Sequence, residues 1–530
     1  SPGELIRQIY LWIDSIRTAP TAASRPERLP LARHVWYTSD MPRALRARHV
    51  LVGSGADRRW LTDGVVTYDD GVITDVRPGP APDGVPTVDL GEAVLLPGLI
   101  DLDALVDVDH LVLDSWHAPE HARALAGSVD YWSEQSHDVL SPDERDTLRE
   151  FGVAQLALHG ITTFMPIASE VHLGWNESAR ELHHLAEVTS RLGLRGYLGP
   201  SYRSRVAAVD ASGERVFVDR PERGAEGLAA AVQFAKDIAA QADPLLEPVL
   251  LPCRIETLTE DLMRATADAA RDLGVRVRMH ALQQRWEREV VLERHGVTPL
   301  DLIDRTGLLT DRLLVPHALW LDRHPQLGGR DTGDLARLAD AGVSVIHCPL
   351  TSFRYGEVLR TLDDYLAAGV TICLGTDSFP PDLIRGMDVG FHAARVLFGH
   401  GSATLAQYAD AATTGGATAL GRPDLGRIEV GAAADLVAFG LDDVRDGVVE
   451  DPLRTLVLNA TARNVRHSVV AGRDVVVDGT LPDIDLPRLR ARAQQVFERL
   501  VAGYTERDAA GRGRDELFPP SFPRATGARA

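Results

Sequence analysis

Four short apolar runs in the second half of the chain each end in a residue able to ligate a metal or move a proton. They are Val277-Arg278-Met279-His280, Val315-Pro316-His317, Ile346-His347-Cys348-Pro349 and Leu374-Gly375-Thr376-Asp377-Ser378. One buried histidine is more often a hydrogen-bonded core residue than a ligand. Three histidines and an aspartate at equivalent positions of successive runs point to one shared site. Imidazoles beside a carboxylate suit two chemistries: holding a divalent ion that acidifies water, or direct acid–base exchange.

The elements that must position them follow from the hydrophobic pattern. Apolar strand candidates occur at Val94–Asp101, Ile161–Ala168, Leu194–Tyr202, Val249–Glu256, Val275–Leu282, Leu313–Leu319, Val343–Pro349 and Thr371–Asp377. Amphipathic segments such as Leu258–Leu273 and Asp334–Ala341 separate them. Eight buried strands alternating with helices specify an α/β fold, a (β/α)8 TIM barrel, in which chemistry belongs to the C-terminal strand ends. Short strands before the barrel (His49–Gly53, Gly64–Tyr68, Val72–Val76, with an Asp69-Asp70-Gly71 hairpin turn) and after it (residues 426–437 and 467–477) predict a small β-sandwich domain built from both flanks. The expected organisation is a helical extension over 1–46, β segments at 47–93 and 421–480, the catalytic barrel at 94–420, and a C-terminal helix and tail at 481–530. Val106–Arg149, the longest segment after a strand, reads as a lid.

Composition narrows the functions. Of 530 residues 45% are hydrophobic and 25% charged, an ordinary globular balance. The net charge of −20 disfavours nucleic acid and anionic membranes as partners. No apolar run is long enough to span a bilayer and no leader pattern is visible, so a cytoplasmic enzyme acting on a small molecule is expected. The three cysteines, Cys253, Cys348 and Cys373, lack the spacing of a disulfide framework or a zinc ribbon. Lys236, the only lysine, lies in a helical stretch, which argues against a lysine bridging two metals.

Pro97-Gly98-Leu99-Ile100-Asp101, the His317, His347-Cys348-Pro349 and Gly375-Thr376-Asp377 runs, and the closing Leu420-Gly421-Arg422…Leu425-Gly426-Arg427-Ile428-Glu429-Val430-Gly431…Ala434-Asp435-Leu436-Val437 together resemble the amidohydrolase superfamily, in its cytosine deaminase and atrazine chlorohydrolase branch. The resemblance covers roughly residues 47–480. It implies hydrolysis of a carbon–nitrogen bond through metal-activated water. His280 is then a metal ligand, His317 binds or polarises substrate, and Asp377 contacts the metal and takes the proton of the attacking water. It also implies dimerisation.

Two positions depart from the family pattern. The first strand of the family leads into His-x-His, where this chain has Asp103 and Leu105. The fifth strand usually carries His-x-x-Glu, where this chain has His280-Ala281-Leu282-Gln283. Asp103 retains a carboxylate, and Gln283 orients a substrate without carrying a proton. Glu287 is the substitute proton carrier one turn later. Asp107-Val108-Asp109-His110 reads either as a solvated turn or as a relocated clamp, with Asp103, Asp109 or His110 joining His280 and Asp377 around one ion. An oxygen-rich set favours Mn or Fe(II) and leaves Zn open. Two alternatives stand beside the hydrolase: a metal-independent lyase or isomerase using Asp377 and His317 as acid and base, and a non-catalytic ligand-binding barrel. Trp116 and His117 in the lid, Tyr202, Arg203, Arg254, His347 and Arg354, with Glu256 and Tyr355 nearby, are the candidates for lining a substrate pocket.

Overall fold

The computed structural model describes residues 41–108, 127–167, 173–359 and 362–523. The expected N-terminal helix and the lid residues Asp109, His110, Trp116 and His117 lie outside them. The strands in chain order are β1 (Arg43–Val52), β2 (Arg59–Asp69), β3 (Val72–Pro78), β4 (Thr87–Asp89), β5 (Ala93–Pro97), β6 (Leu99–Ala104), β7 (Ile161–Pro166), β8 (Arg195–Leu198), β9 (Ser201–Tyr202), β10 (Arg205–Val209), β11 (Arg215–Asp219), β12 (Leu246–Pro252), β13 (Arg276–Arg278), β14 (Leu313–Pro316), β15 (Ser344–His347), β16 (Thr371–Leu374), β17 (Leu436–Gly440), β18 (Val465–Val470) and β19 (Arg473–Val477).

Eight of them form the parallel barrel, in the order β16-β15-β14-β13-β12-β8-β7-β6. β16 meets β6 through the backbone bond from Asp377 N to Asp103 O, 2.8 Å. Asp101 seals the same seam by accepting from Thr376 N at 3.0 Å and Thr376 Oγ1 at 2.6 Å. Leu102, Met165, Tyr197, Leu251, Leu314, Ile346 and Cys373 fill the interior, and a larger apolar layer packs the strands against the helices.

The expected strand Val94–Asp101 divides. Residues Ala93–Pro97 belong to the small domain and Leu99–Ala104 to the barrel, with Gly98 at the break. Gly98 is required there: a Cβ would stand 2.1 Å from Thr162 Oγ1 on the neighbouring strand. The small domain joins both flanks of the chain in one sheet, β19-β18-β17-β5-β1-β2-β3, with β4 on β1. Its own apolar layer includes Leu45, Val66, Ile73, Leu95, Leu436 and Val469. Asp70 and Gly71, with φ of 45° and 76°, make the hairpin turn between β2 and β3. β1 begins at Arg43, inside the stretch assigned to the extension, and the C-terminal helix runs Leu486–Tyr504. An antiparallel hairpin, β10–β11, was not foreseen; its Phe217 stacks on Trp286 of the helix Arg285–His295 at 5.3 Å.

Candidate active site

Five chain segments bring one cluster together at the C-terminal ends of the barrel strands. Asp103 is fully buried on β6. Its Oδ1 accepts from Arg278 Nη1 at 2.5 Å, and its Oδ2 lies 3.4 Å from His280 Nε2 and 3.6 Å from Cys348 Sγ. His317 Nε2 stands 3.5 Å from Asp377 Oδ2, and the His280 and His317 rings are 5.5 Å apart. Potential donor atoms of Asp103, His280 and Asp377 all lie within 4.8 Å of one another, as do those of Asp103, His317 and Cys348. Leu105, fully buried, offers no donor.

The backbone that aims these side chains is held in uncommon conformations. Leu282, His317, Ala318 and Asp377 have φ of 60°, 71°, 48° and 40°. A left-handed non-glycine residue costs on the order of 1 kcal/mol and persists where surrounding contacts impose it. Asp377 is pinned by its N–H to Asp103 O and by Thr351, whose hydroxyl donates to the Asp377 carbonyl. Tyr365 donates its hydroxyl to Ala318 O at 2.5 Å, and His317 N donates to Ile346 O at 2.8 Å. The strained turns therefore follow three different strands and converge on one mouth.

Electrostatics separates the members. Burial opposes the charge on Asp103, but His280 and the Arg278 guanidinium outweigh it and hold the carboxyl well below the usual carboxylate range. Burial pushes the Asp101 carboxyl up to about 7, against the lowering effect of its hydrogen bonds from Thr376. Burial, with His280 alongside, keeps His317 well below the ordinary histidine value, so its imidazole is neutral at physiological pH. Neither His317 ring nitrogen has a hydrogen-bond partner among the described residues. Burial, then Asp103 and Asp377, raise the Cys348 thiol well above its ordinary value.

Arg254 organises the rim. It donates from Nε to Glu256 at 2.7 Å and from Nη2 to Gln283 Oε1 at 2.6 Å. Because a guanidinium only donates, Gln283 must turn its carbonyl to Arg254, and its amide N–H groups are left as donors. Glu287 accepts from Leu282 N at 2.6 Å and Gln283 N at 3.0 Å, so it fixes the turn that carries Gln283. Burial, then Glu256, push the Glu287 carboxyl up to about 8.

Three expected pocket residues lie elsewhere. Ile346 and Cys348 face the barrel interior, so strand alternation turns His347 outward, into a narrow cavity with Ser352, Tyr408 and Leu362. There burial alone lowers its imidazole to about 3. Tyr202 is fully buried against the helix layer and shares a hydrogen bond with Thr266 Oγ1 at 2.9 Å. Arg203 donates to Trp175 O at 3.0 Å and packs 5.5 Å from the Trp132 ring. Arg354 ends the helix Pro349–Arg354 that follows β15. Sequence reasoning passed over Arg278, Asp101 and Cys348 as members of the site. Arg278 was detectable, since two residues before His280 on a strand is the same face.

The fold and the mouth cluster define a barrel enzyme of the kind that places polar chemistry at strand ends. The chain belongs to the amidohydrolase family, whose profile matches residues 94–475. A 5-methylthioadenosine/S-adenosylhomocysteine deaminase of Halobacterium salinarum is 26% identical, over 83% of this chain and 95% of its own length. An 8-oxoguanine deaminase of Pseudomonas aeruginosa is 28% identical, over 69% of this chain and 79% of its own. A zinc complex of an atrazine chlorohydrolase from Arthrobacter aurescens superposes with a TM-score of 0.71 at 23% identity, covering 86% and 99%. The two deaminases are hydrolases of non-peptide carbon–nitrogen bonds in small molecules, the activity expected from the sequence.

Proposed function

We propose that this chain hydrolyses a carbon–nitrogen bond of a small polar molecule, an amide, amidine or aminoheterocycle, at the Asp103–His280–His317–Asp377 cluster. The observation that carries this reading is the meeting of two carboxylates with two imidazoles, one having no hydrogen-bond partner among the described residues, over strained turns at the barrel mouth. The same donor set fits a divalent ion. Tetrahedral donors about 2.0–2.3 Å from a metal are separated by roughly 3.3–3.8 Å. Here Asp103 Oδ2 and His280 Nε2 stand 3.4 Å apart, and donor atoms of Asp103, His280 and Asp377 all lie within 4.8 Å of one another. His280, Asp377 and Asp103 would hold the ion, Zn, Fe or Mn; Asp109 and His110 are the remaining proposed donors. When bound, such an ion supplies a water of lowered pKa and a Lewis acid.

This chain's own residues then divide the work. Asp377 accepts the proton of the attacking water and returns it to the leaving nitrogen. His317, neutral, hydrogen-bonds the group being attacked. Gln283 donates its amide N–H to an acceptor on the substrate, and Arg254 holds it in place. Trp116 and Arg354 are proposed to shape the pocket beyond this core. Gln283 is no proton carrier, which favours substrates whose leaving nitrogen takes its proton from Asp377 alone. The catalytic unit is taken as 94–420, in a cytoplasmic homodimer; no helix among the described residues is long and apolar enough to cross a membrane.

A second reading, metal-independent exchange between His317 and Asp377, is favoured by Arg278, which already gives Asp103 a counter-charge. A panel of amides, amidines and aminoheterocycles, assayed for released ammonia or amine with and without added divalent metal, separates the two. Metal-dependent release supports the hydrolase. Turnover of metal-free protein without water incorporation into product overturns it.

A further inference from the structure

Asp103 is shared by two donor sets, and the second has a different chemical character. The first set is hard: two carboxylates and an imidazole, from Asp103, Asp377 and His280. The second, Asp103, His317 and Cys348, contains a thiol. Each of its members is fully or almost fully buried, Cys348 and His317 at 0% exposure. Gly375 makes room for it, since a Cβ there would stand 2.6 Å from Asp103 Cβ and 3.0 Å from Cys348 Sγ. Neither His317 nitrogen has a hydrogen-bond partner among the described residues, so this buried imidazole can serve as a ligand without giving up a bond to any of them.

We propose that Asp103, His317 and Cys348 form a second metal station that takes thiophilic divalent ions and blocks the site when filled. Charge supports it. Arg278 offsets Asp103, so a divalent ion here leaves a net positive charge in a buried place unless another anion joins. A Cys348 thiolate supplies one negative charge beside the ion, and soft ions prefer sulfur. On binding, the Sγ–H bond gives its proton to solvent as the sulfur–metal bond forms, and no electron changes hands. The station engages Asp103 and His317, both of which the proposed hydrolase needs, so filling it inhibits. Only that consequence rests on the hydrolase reading.

The test is titration of the metal-free full-length protein with Co(II) and then Cd(II), following bound metal by elemental analysis and the ultraviolet thiolate-to-metal charge-transfer band. The band is expected in the native protein, lost in Cys348→Ser and kept in Cys373→Ser, whose target is an equally buried thiol. Bound metal with no thiolate band in the native protein overturns the station while leaving a metallohydrolase intact. A band that survives Cys348→Ser overturns it as well. Failure of both ions to bind overturns the station and the metal-dependent reading together. If the hydrolase reading holds, Cd(II) added to active native protein suppresses turnover at least tenfold, and Cys348→Ser loses that sensitivity. A native enzyme with a thiolate band and undiminished turnover contradicts the inhibitory role.

Discussion

Two buried charge clusters lie close to the barrel, and only one of them is open to chemistry. In the first, Arg149 reaches Glu177 at 2.6 Å and Glu181 at 2.8 Å, Arg145 reaches Glu181 at 3.1 Å, and Ser201 N donates to Glu177 at 2.8 Å. Each carboxylate there meets a guanidinium, and Arg149 also donates to Val106 O. In the second, Arg278 holds one oxygen of Asp103 while the other faces His280 and Cys348 at distances beyond a strong hydrogen bond. Closed networks define architecture, whereas loosely spaced donors on strained turns define a site that awaits a partner.

The widest gap between the clusters is catalytic. Asp377→Asn keeps the shape and removes the proton acceptor, so kcat is expected to fall by about 10²–10⁴-fold. Arg149→Met, in the closed cluster, should leave bound metal per chain unchanged. It strands the buried Glu177 and leaves the buried Glu181 with Arg145 as its remaining guanidinium, so stability should drop by about 3–5 kcal/mol in chemical denaturation. Equal stability losses for Arg149→Met and a conservative exposed substitution would erase the distinction.

Arg278→Met sharpens it from the other side. Removing a fixed positive charge beside Asp103 should tighten divalent-cation binding, by on the order of tenfold in a competition titration, while lowering the stability of the metal-free protein. Weaker cation binding would mean that Arg278 positions Asp103 for the ion.

The smallest effect is a pH dependence. Glu287 has its carboxyl raised to about 8 by burial and Glu256. The folded chain therefore binds more protons than the unfolded chain between the ordinary glutamate range and about 8. Stability contributed by this group is present at acid pH and lost as pH rises through that window. Glu287→Gln should flatten the fall of the unfolding midpoint between pH 5 and pH 8 relative to the native protein. An unchanged slope would remove Glu287 as its source.

The barrel was legible because buried parallel strands announce themselves as short apolar runs, and His280, His317 and Asp377 because they close three of those runs. His347 was misplaced by counting strand ends without counting faces: Ile346 and Cys348 point inward, so the residue between them cannot. Tyr202 failed for a similar reason, its ring being part of the layer between strands and helices. Arg278 escaped because arginine in a barrel interior looks like a surface residue until its carboxylate partner, 175 positions away, is brought to it by closure of β6 onto the far strands. The β10–β11 hairpin lacked the asparagine–glycine turn that marks such elements most strongly.

The rebuilt mouth, with aspartate and leucine where a histidine pair is usual in the family, is proposed to hold one divalent ion. Elemental analysis of protein purified without chelators, beside His280→Ala and Asp377→Ala, tests it most directly. Close to one ion per native chain is expected, and its loss in both variants. Metal-free native protein that releases ammonia or amine from a carbon–nitrogen substrate at full rate would contradict it.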